Sequence, residues 1–259
     1  SDSYGKGKSE TILGNWMKAR GNRDRILVFT KVGSDMGQGR RDLSAKWIID
    51  EVENSLRRLQ VDYIDLYQSH WPDPTVTHEE TLGAYAQLVR DGKVRWIGSS
   101  NYTAEMHAEA DAISKAHDWP RYESEQPEYN LYARDSFEGP LQDYCIKHDI
   151  GVITYFSLAA GFLTGKYRSE ADFSKSARGA RMDKYLNERG FRILAALDQV
   201  SADHRATPAE VALAWVAAQP GVTAPIASAT SVEQVHSLAK GARLTLTSRD
   251  LALLEAAGK

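Results

Sequence analysis

An alternation constrains this fold most: short runs rich in β-branched and aromatic residues recur between longer stretches with helical apolar spacing, the pattern of a parallel sheet covered by helices. Six runs are predicted as strands, at 26–30 (ILVFT), 62–68 (DYIDLYQ), 94–98 (VRWIG), 121–125 (RYESE), 151–155 (GVITY) and 223–227 (TAPIA). Residues 44–59 are predicted as a helix. Ser44 is its N-cap, and Ile48, Ile49, Val52, Leu56 and Leu59 fall on one face. A second helix opens with Thr207 as cap and Pro208 at its first position, then runs through Val211, Leu213, Ala214 and Val216.

A length of 259 residues suits two small domains or one (β/α)8 barrel. No linker divides the chain, and the longest irregular stretch, 163–183, reads as a functional loop over a site. With 42% hydrophobic and 26% charged residues the chain can bury a core. The net charge of -3 offers no basic stripe for nucleic acid and no polybasic membrane patch. No apolar run approaches the roughly 18 residues of a membrane span. A single cysteine, Cys145, allows no disulfide within these residues and no multi-thiolate metal site, and it points to a reducing, cytoplasmic setting. A closed barrel needs eight strands, yet the sequence opens on the turn Ser1-Asp2-Ser3-Tyr4-Gly5. The expectation is a single barrel domain over 1–259 that is N-terminally incomplete, with a gap where two strands belong, equivalent to on the order of 45 residues.

Ligands gather at the C-terminal ends of parallel strands, and every such end here is polar. In order they carry Lys31; Ser69 and His70; Ser99, Ser100 and Asn101; Gln126; Tyr155 and Ser157; and Ser228, Thr230 and Ser231. Each taken alone has an ordinary structural role. Asn101 and Ser231 can cap helices, and a lone histidine after a strand can be a satisfied polar residue. Six polar ends in succession point to a ligand.

The segments Phe29-Thr30-Lys31, Tyr67-Gln68-Ser69-His70-Trp71, Gly92-Lys93-Val94-Arg95, Ile97-Gly98-Ser99-Ser100-Asn101, Gln126-Pro127-Glu128-Tyr129-Asn130, Leu163-Thr164-Gly165-Lys166-Tyr167 and Ala229-Thr230-Ser231-Val232-Glu233-Gln234 span the chain in order. Together they resemble the aldo-keto reductase superfamily, most of all its bacterial NADPH-dependent branch related to potassium-channel β-subunits. The resemblance implies a (β/α)8 barrel and reduction of aldehyde or ketone carbonyls to alcohols. It also implies a tetrad of Asp, Tyr, Lys and His, of which Tyr4, Lys31 and His70 match. The aspartate, five residues before the tyrosine, would fall before Ser1, and Asp2 stands in the wrong register. In this reading Tyr4 donates a proton to the carbonyl oxygen, Lys31 lowers the Tyr4 pKa, and a neutral His70 orients the substrate. Tyr4 has an alternative as a turn aromatic at the barrel mouth.

The resemblance also implies a nicotinamide cofactor, NADP(H) preferred and NAD(H) possible, bound without a GxGxxG motif. Asn101 and Gln126 would pair with the carboxamide, assisted by Ser100, and Tyr155 would stack on the ring. Residues 157–166, with Ser157, Leu158, Gly161 and Lys166, would wrap the pyrophosphate. Ala229, Thr230, Ser231 and Gln234 would meet the adenosine end, where a helix N-terminus can hold a 2′-phosphate. Arg or Lys, frequent at positions 230 and 231 in relatives, is absent, and His236-Ser237 replaces a common acid-amide pair. Trp71 is the candidate substrate contact, and no metal is expected. Two alternatives remain beside the enzyme: a cofactor-binding regulatory subunit with little turnover, and a truncated, defective reductase.

Overall fold

The structure is a computed structural model that describes residues 1–175 and 179–259. The chain divides into two units, Ser1–Gln126 with Lys147–Ile150, and Pro127–Ile146 with Gly151–Lys259.

The first unit alternates helix and strand: α1 (Lys8–Arg20), β1 (Phe29–Val32), α2 (Ala45–Leu59), β2 (Ile64–Ser69), α3 (His78–Arg90), β3 (Val94–Ser100), α4 (Ala104–His117) and β4 (Tyr122–Gln126). Its strands pair in parallel and in chain order. All of β2 is buried, as expected of a strand covered on both faces. The core gathers Ile48, Val52 and Leu59 of α2 with Leu82, Tyr85 and Leu88 of α3 and the strand residues Ile64, Tyr67, Val94, Ile97 and Tyr122. The Ser44 side chain accepts from the Trp47 N–H, so the predicted cap holds.

β1 starts three residues later than the apolar run 26–30 suggests. The Asp65 carboxylate takes the Val28 N–H at 2.8 Å, and Arg23 takes the Ile26 carbonyl, so a side chain and a turn occupy the backbone there. Gly14 marks where α1 meets α2, because a Cβ at this position would stand 2.5 Å from the Arg58 carbonyl oxygen and 2.6 Å from that of Leu59. Neither backbone atom can swing aside. Gly14→Ala is therefore expected to cost about 1–3 kcal/mol, the usual penalty of overpacking. Urea denaturation measures it, and an unchanged midpoint would show that the helices separate freely.

The second unit holds most of α5 (Pro140–His148), then β5 (Gly151–Thr154), α6 (Glu188–His204), α7 (Pro208–Ala217), β6 (Val222–Pro225), α8 (Val232–Gly241) and α9 (Ser248–Gly258). β5 and β6 pair in parallel, with Val152 opposite Val222. Tyr129 lies 5.5 Å from the buried Trp215 and 5.0 Å from Phe137, centroid to centroid. The predicted Thr207 cap is present as a capping box with Glu210, and Ser231 caps α8. The stretch 163–183 holds short 3-10 turns at Glu170–Lys175 and Gly179–Arg181, while residues 176–178 of it lie outside the described residues. Among the described residues no helix is long and apolar enough to cross a membrane.

Candidate active site

Parallel register brings the C-terminal strand ends of the first unit into one row. Lys31 lies opposite Gln68, Gln68 opposite Gly98, Ser69 opposite Ser99, and Ser100 opposite Gln126. Tyr4 comes from the turn before α1, pinned by its N–H to the Ser1 carbonyl and its carbonyl to the Ser9 N–H. Its ring meets the His70 ring edge-on at 5.6 Å, and the Lys31 ammonium lies 5.5 Å from the Tyr4 ring centroid. Tyr4, Lys31 and His70 thus come together. Trp71 stacks on His70 at 6.0 Å with 17° between the planes.

His70 is held on several sides. Its N–H donates to the Val32 carbonyl at 2.8 Å, its carbonyl accepts from Asn101 Nδ2 at 3.1 Å, and the Ser34 and Ser1 hydroxyls lie 2.8 Å and 3.2 Å from Nδ1. Burial, then the Lys31 and Arg41 charges, push its pKa down to about 3, so the ring is neutral. In the tautomer whose Nδ1 accepts from Ser34, the ring proton is on Nε2, as a donor. Beneath it, the Ser69 hydroxyl bonds the buried Tyr85 and Tyr122 hydroxyls at 2.9 Å and 3.1 Å, which fixes the end of β2.

Burial also lowers the Lys31 pKa, to about 8, against a raising effect of Asp2. Tyr4 behaves differently from the sequence-based expectation. Its pKa is raised, by burial first and by the Asp2 charge second. The phenol is therefore protonated at neutral pH, and Lys31 is not what sets its proton affinity. Asp2, set aside on register, is fully buried with its N–H on the Lys31 carbonyl at 3.3 Å, and burial raises its own pKa to about 7.

Asn101 does not cap α4, a role taken by Thr103. It adopts φ 64° instead, donating to the His70 carbonyl and, at 3.0 Å, to Ser100 Oγ. Ser100 Oγ donates to the Gln126 carbonyl at 2.7 Å, and Gln126 Nε2 donates to Gln68 Oε1 at 3.3 Å. Sequence reasoning missed what holds this turn. The buried Glu125 carboxylate accepts from Ser99 Oγ at 2.6 Å and the Tyr102 N–H at 3.2 Å, and lies 3.2 Å from His107 Nε2. A charged residue inside a predicted strand was the available signal.

In the second unit Tyr155 follows β5, with its N–H on the Pro127 carbonyl at 2.9 Å. Ser157 is buried, bonded to the Thr154 carbonyl at 3.1 Å. On either side of it the backbone is left-handed, at Phe156, Ala159 and Ala160, with φ of 52°, 49° and 55°, and at Gly161, with φ 107°. Such residues cost on the order of 1 kcal/mol or more each, so their surroundings must impose them. Asn130 Nδ2 on the Phe156 carbonyl and the Leu158 carbonyl bonding the Gly161 and Leu163 N–H groups do so. A Cβ at Gly161 would stand 3.8 Å from Lys166 Nζ, which puts a cation on the same turn. At α8, Ser231 Oγ accepts from the Gln234 N–H, and Gln234 Oε1 accepts from the Thr230 N–H at 2.8 Å. Thr230 and Ser231 are exposed, and Ala229 is half-buried beside them.

The sequence profile of the Aldo/keto reductase family matches residues 1–259. The chain belongs to this family. Its relatives include "Aldo-keto reductase YhdN" of Bacillus subtilis (strain 168), 35% identical over 254 residues that cover 96% of this chain and 75% of that protein. "Protein tas" of Escherichia coli (strain K12) is 33% identical, covering 97% of this chain and 80% of its own. A "Probable voltage-gated potassium channel subunit beta" of Arabidopsis thaliana is 32% identical over 91% of this chain and 74% of its own. As an aldo-keto reductase the chain is an α/β protein whose parallel strands match the family's (β/α)8 barrel, from an oxidoreductase family that uses nicotinamide cofactors in carbonyl reduction.

Proposed function

We propose that the protein reduces aldehyde or ketone carbonyls to alcohols with NADPH, NADH serving less well, and that it does so in the cytoplasm as a single barrel domain. The observation that carries this reading is the convergence of Tyr4, Lys31 and His70. When bound, the reduced cofactor supplies hydride from C4 of its nicotinamide ring. The chain supplies the rest. His70 Nε2–H donates to the carbonyl oxygen and orients it, and Tyr4 gives its hydroxyl proton as negative charge grows there. Lys31, 5.5 Å from the Tyr4 ring, stabilises the phenolate left behind.

The donor sets fit the cofactor's parts. In the first unit Asn101 and Gln126, steadied by Ser100, offer amides for a carboxamide. In the second, the left-handed turn at 159–161 with Lys166 suits a diphosphate, and Tyr155 offers a flat face. Thr230 and Ser231 at the start of α8 offer hydroxyls and a helix N-terminus to a 2′-phosphate, without a cation, which supports a modest preference for NADPH.

Steady-state NADPH oxidation with a panel of aldehydes tests the proposal. Cofactor binding without turnover would favour the regulatory-subunit reading. Tyr155→Ala is expected to raise the NADPH dissociation constant several-fold, since aromatic stacking is worth on the order of 1 kcal/mol. Fluorescence titration measures it, and unchanged affinity for both NADPH and NADH would place the stacking elsewhere.

A further inference from the structure

The segment between β1 and α2 carries a cation to which the chemistry above gives no ligand. The Arg41 guanidinium lies over the Trp71 ring, 4.6 Å from its centroid, and Trp71 in turn stacks on His70. Trp71 is thus the neighbour of both the His70 ring and the Arg41 guanidinium. Arg41 is exposed, and among the described residues no carboxylate lies within ion-pair distance of it.

The nearby acids are committed elsewhere. Asp42 pairs with Arg40 at 2.7 Å and accepts the Ser44 N–H at 3.0 Å. Asp35 accepts the Gly37 and Gly39 N–H groups at 2.8 Å and 3.0 Å. Asp73 accepts the Leu43 and Thr75 N–H groups and the Thr75 hydroxyl.

A guanidinium resting over an aromatic ring spends none of its N–H donors on that contact, so they can meet a carboxylate in two parallel hydrogen bonds. The indole underneath also restricts a side chain that would otherwise lose rotamer freedom on binding. We propose that Arg41, stacked on Trp71 beside His70, selects carbonyl substrates that carry a carboxylate at the end away from the reacting carbonyl. The inference rests on the reductase reading above. It deepens that reading by naming a substrate class, acid-bearing aldehydes, and a residue that chooses it.

The test compares 4-carboxybenzaldehyde with methyl 4-formylbenzoate, which share a ring and a reacting group and differ in charge. Wild-type kcat/KM is expected to favour the carboxylate about tenfold or more, the worth of a charge-assisted hydrogen bond. Added salt should shrink that ratio. Arg41→Met, which keeps an unbranched apolar stem over Trp71 but removes the charge, should bring the ratio close to one through KM, and Arg41→Lys should restore part of it. Turnover of both aldehydes at a wild-type ratio near one would overturn the inference alone. Turnover of neither would overturn the reductase reading on which it rests.

Discussion

Tyr4→Phe is expected to lower kcat for carbonyl reduction by about 10²- to 10⁴-fold, the usual contribution of a positioned general acid. The substitution keeps the ring, and with it the edge-on contact to His70 at 5.6 Å, but removes the hydroxyl. NADPH affinity should stay within twofold or so of wild type, because Tyr4 is assigned no cofactor contact. The split between kcat and cofactor binding separates lost chemistry from a disturbed site. Retention of more than about a tenth of wild-type kcat with a small aldehyde would return Tyr4 to the role of a turn aromatic.

Lys31→Met should be nearly as damaging, at about 10²-fold or more in kcat, because the phenolate forming at Tyr4 would lose the ammonium 5.5 Å from its ring. The wild-type pH profile gives an independent reading. Burial lowers the Lys31 pKa from an ordinary 10.5 to about 8, so the folded protein gives up this proton where an exposed lysine would keep it. Activity that needs the ammonium is therefore full below about pH 8 and falls as pH rises through that value. Tyr4 cannot be the source of this limb, since its own pKa is raised above 10.0. Lys31→Met should remove the alkaline limb along with most of the rate. A limb that persists near pH 8 in the variant would assign the titration to another group.

The residues named at the strand ends were legible because parallel α/β chains reveal themselves through apolar runs, caps and punctuation. Ser44, Thr207 and Ser231 cap the helices that their sequence context suggests. Each of the six predicted runs overlaps an observed strand. Their starts differ by up to three residues, as at β1, where Asp65 and Arg23 claim the preceding backbone. Bonds between distant parts of the chain left no such trace. The Ser34 hydroxyl on His70 Nδ1 and the Glu125 carboxylate on Ser99 and the Tyr102 N–H depend on neighbours that only the folded chain assembles. The raised pKa of Tyr4 has the same origin, since proximity to an ammonium can be guessed from a motif but partial burial beside the Asp2 charge cannot. The left-handed backbone at Phe156, Ala159 and Ala160 was equally hidden, because none of these residue types announces that conformation.

The central claim is that these residues reduce a carbonyl with hydride from a nicotinamide, and isotope transfer tests it most directly. Benzaldehyde is incubated with the protein and NADPH carrying deuterium at both C4 positions, and the alcohol is analysed by mass spectrometry. The account expects benzyl alcohol with one deuterium on its carbinol carbon, formed in step with NADPH loss and abolished in Tyr4→Phe. Bound NADPH with no alcohol formed, or alcohol without deuterium, would contradict it.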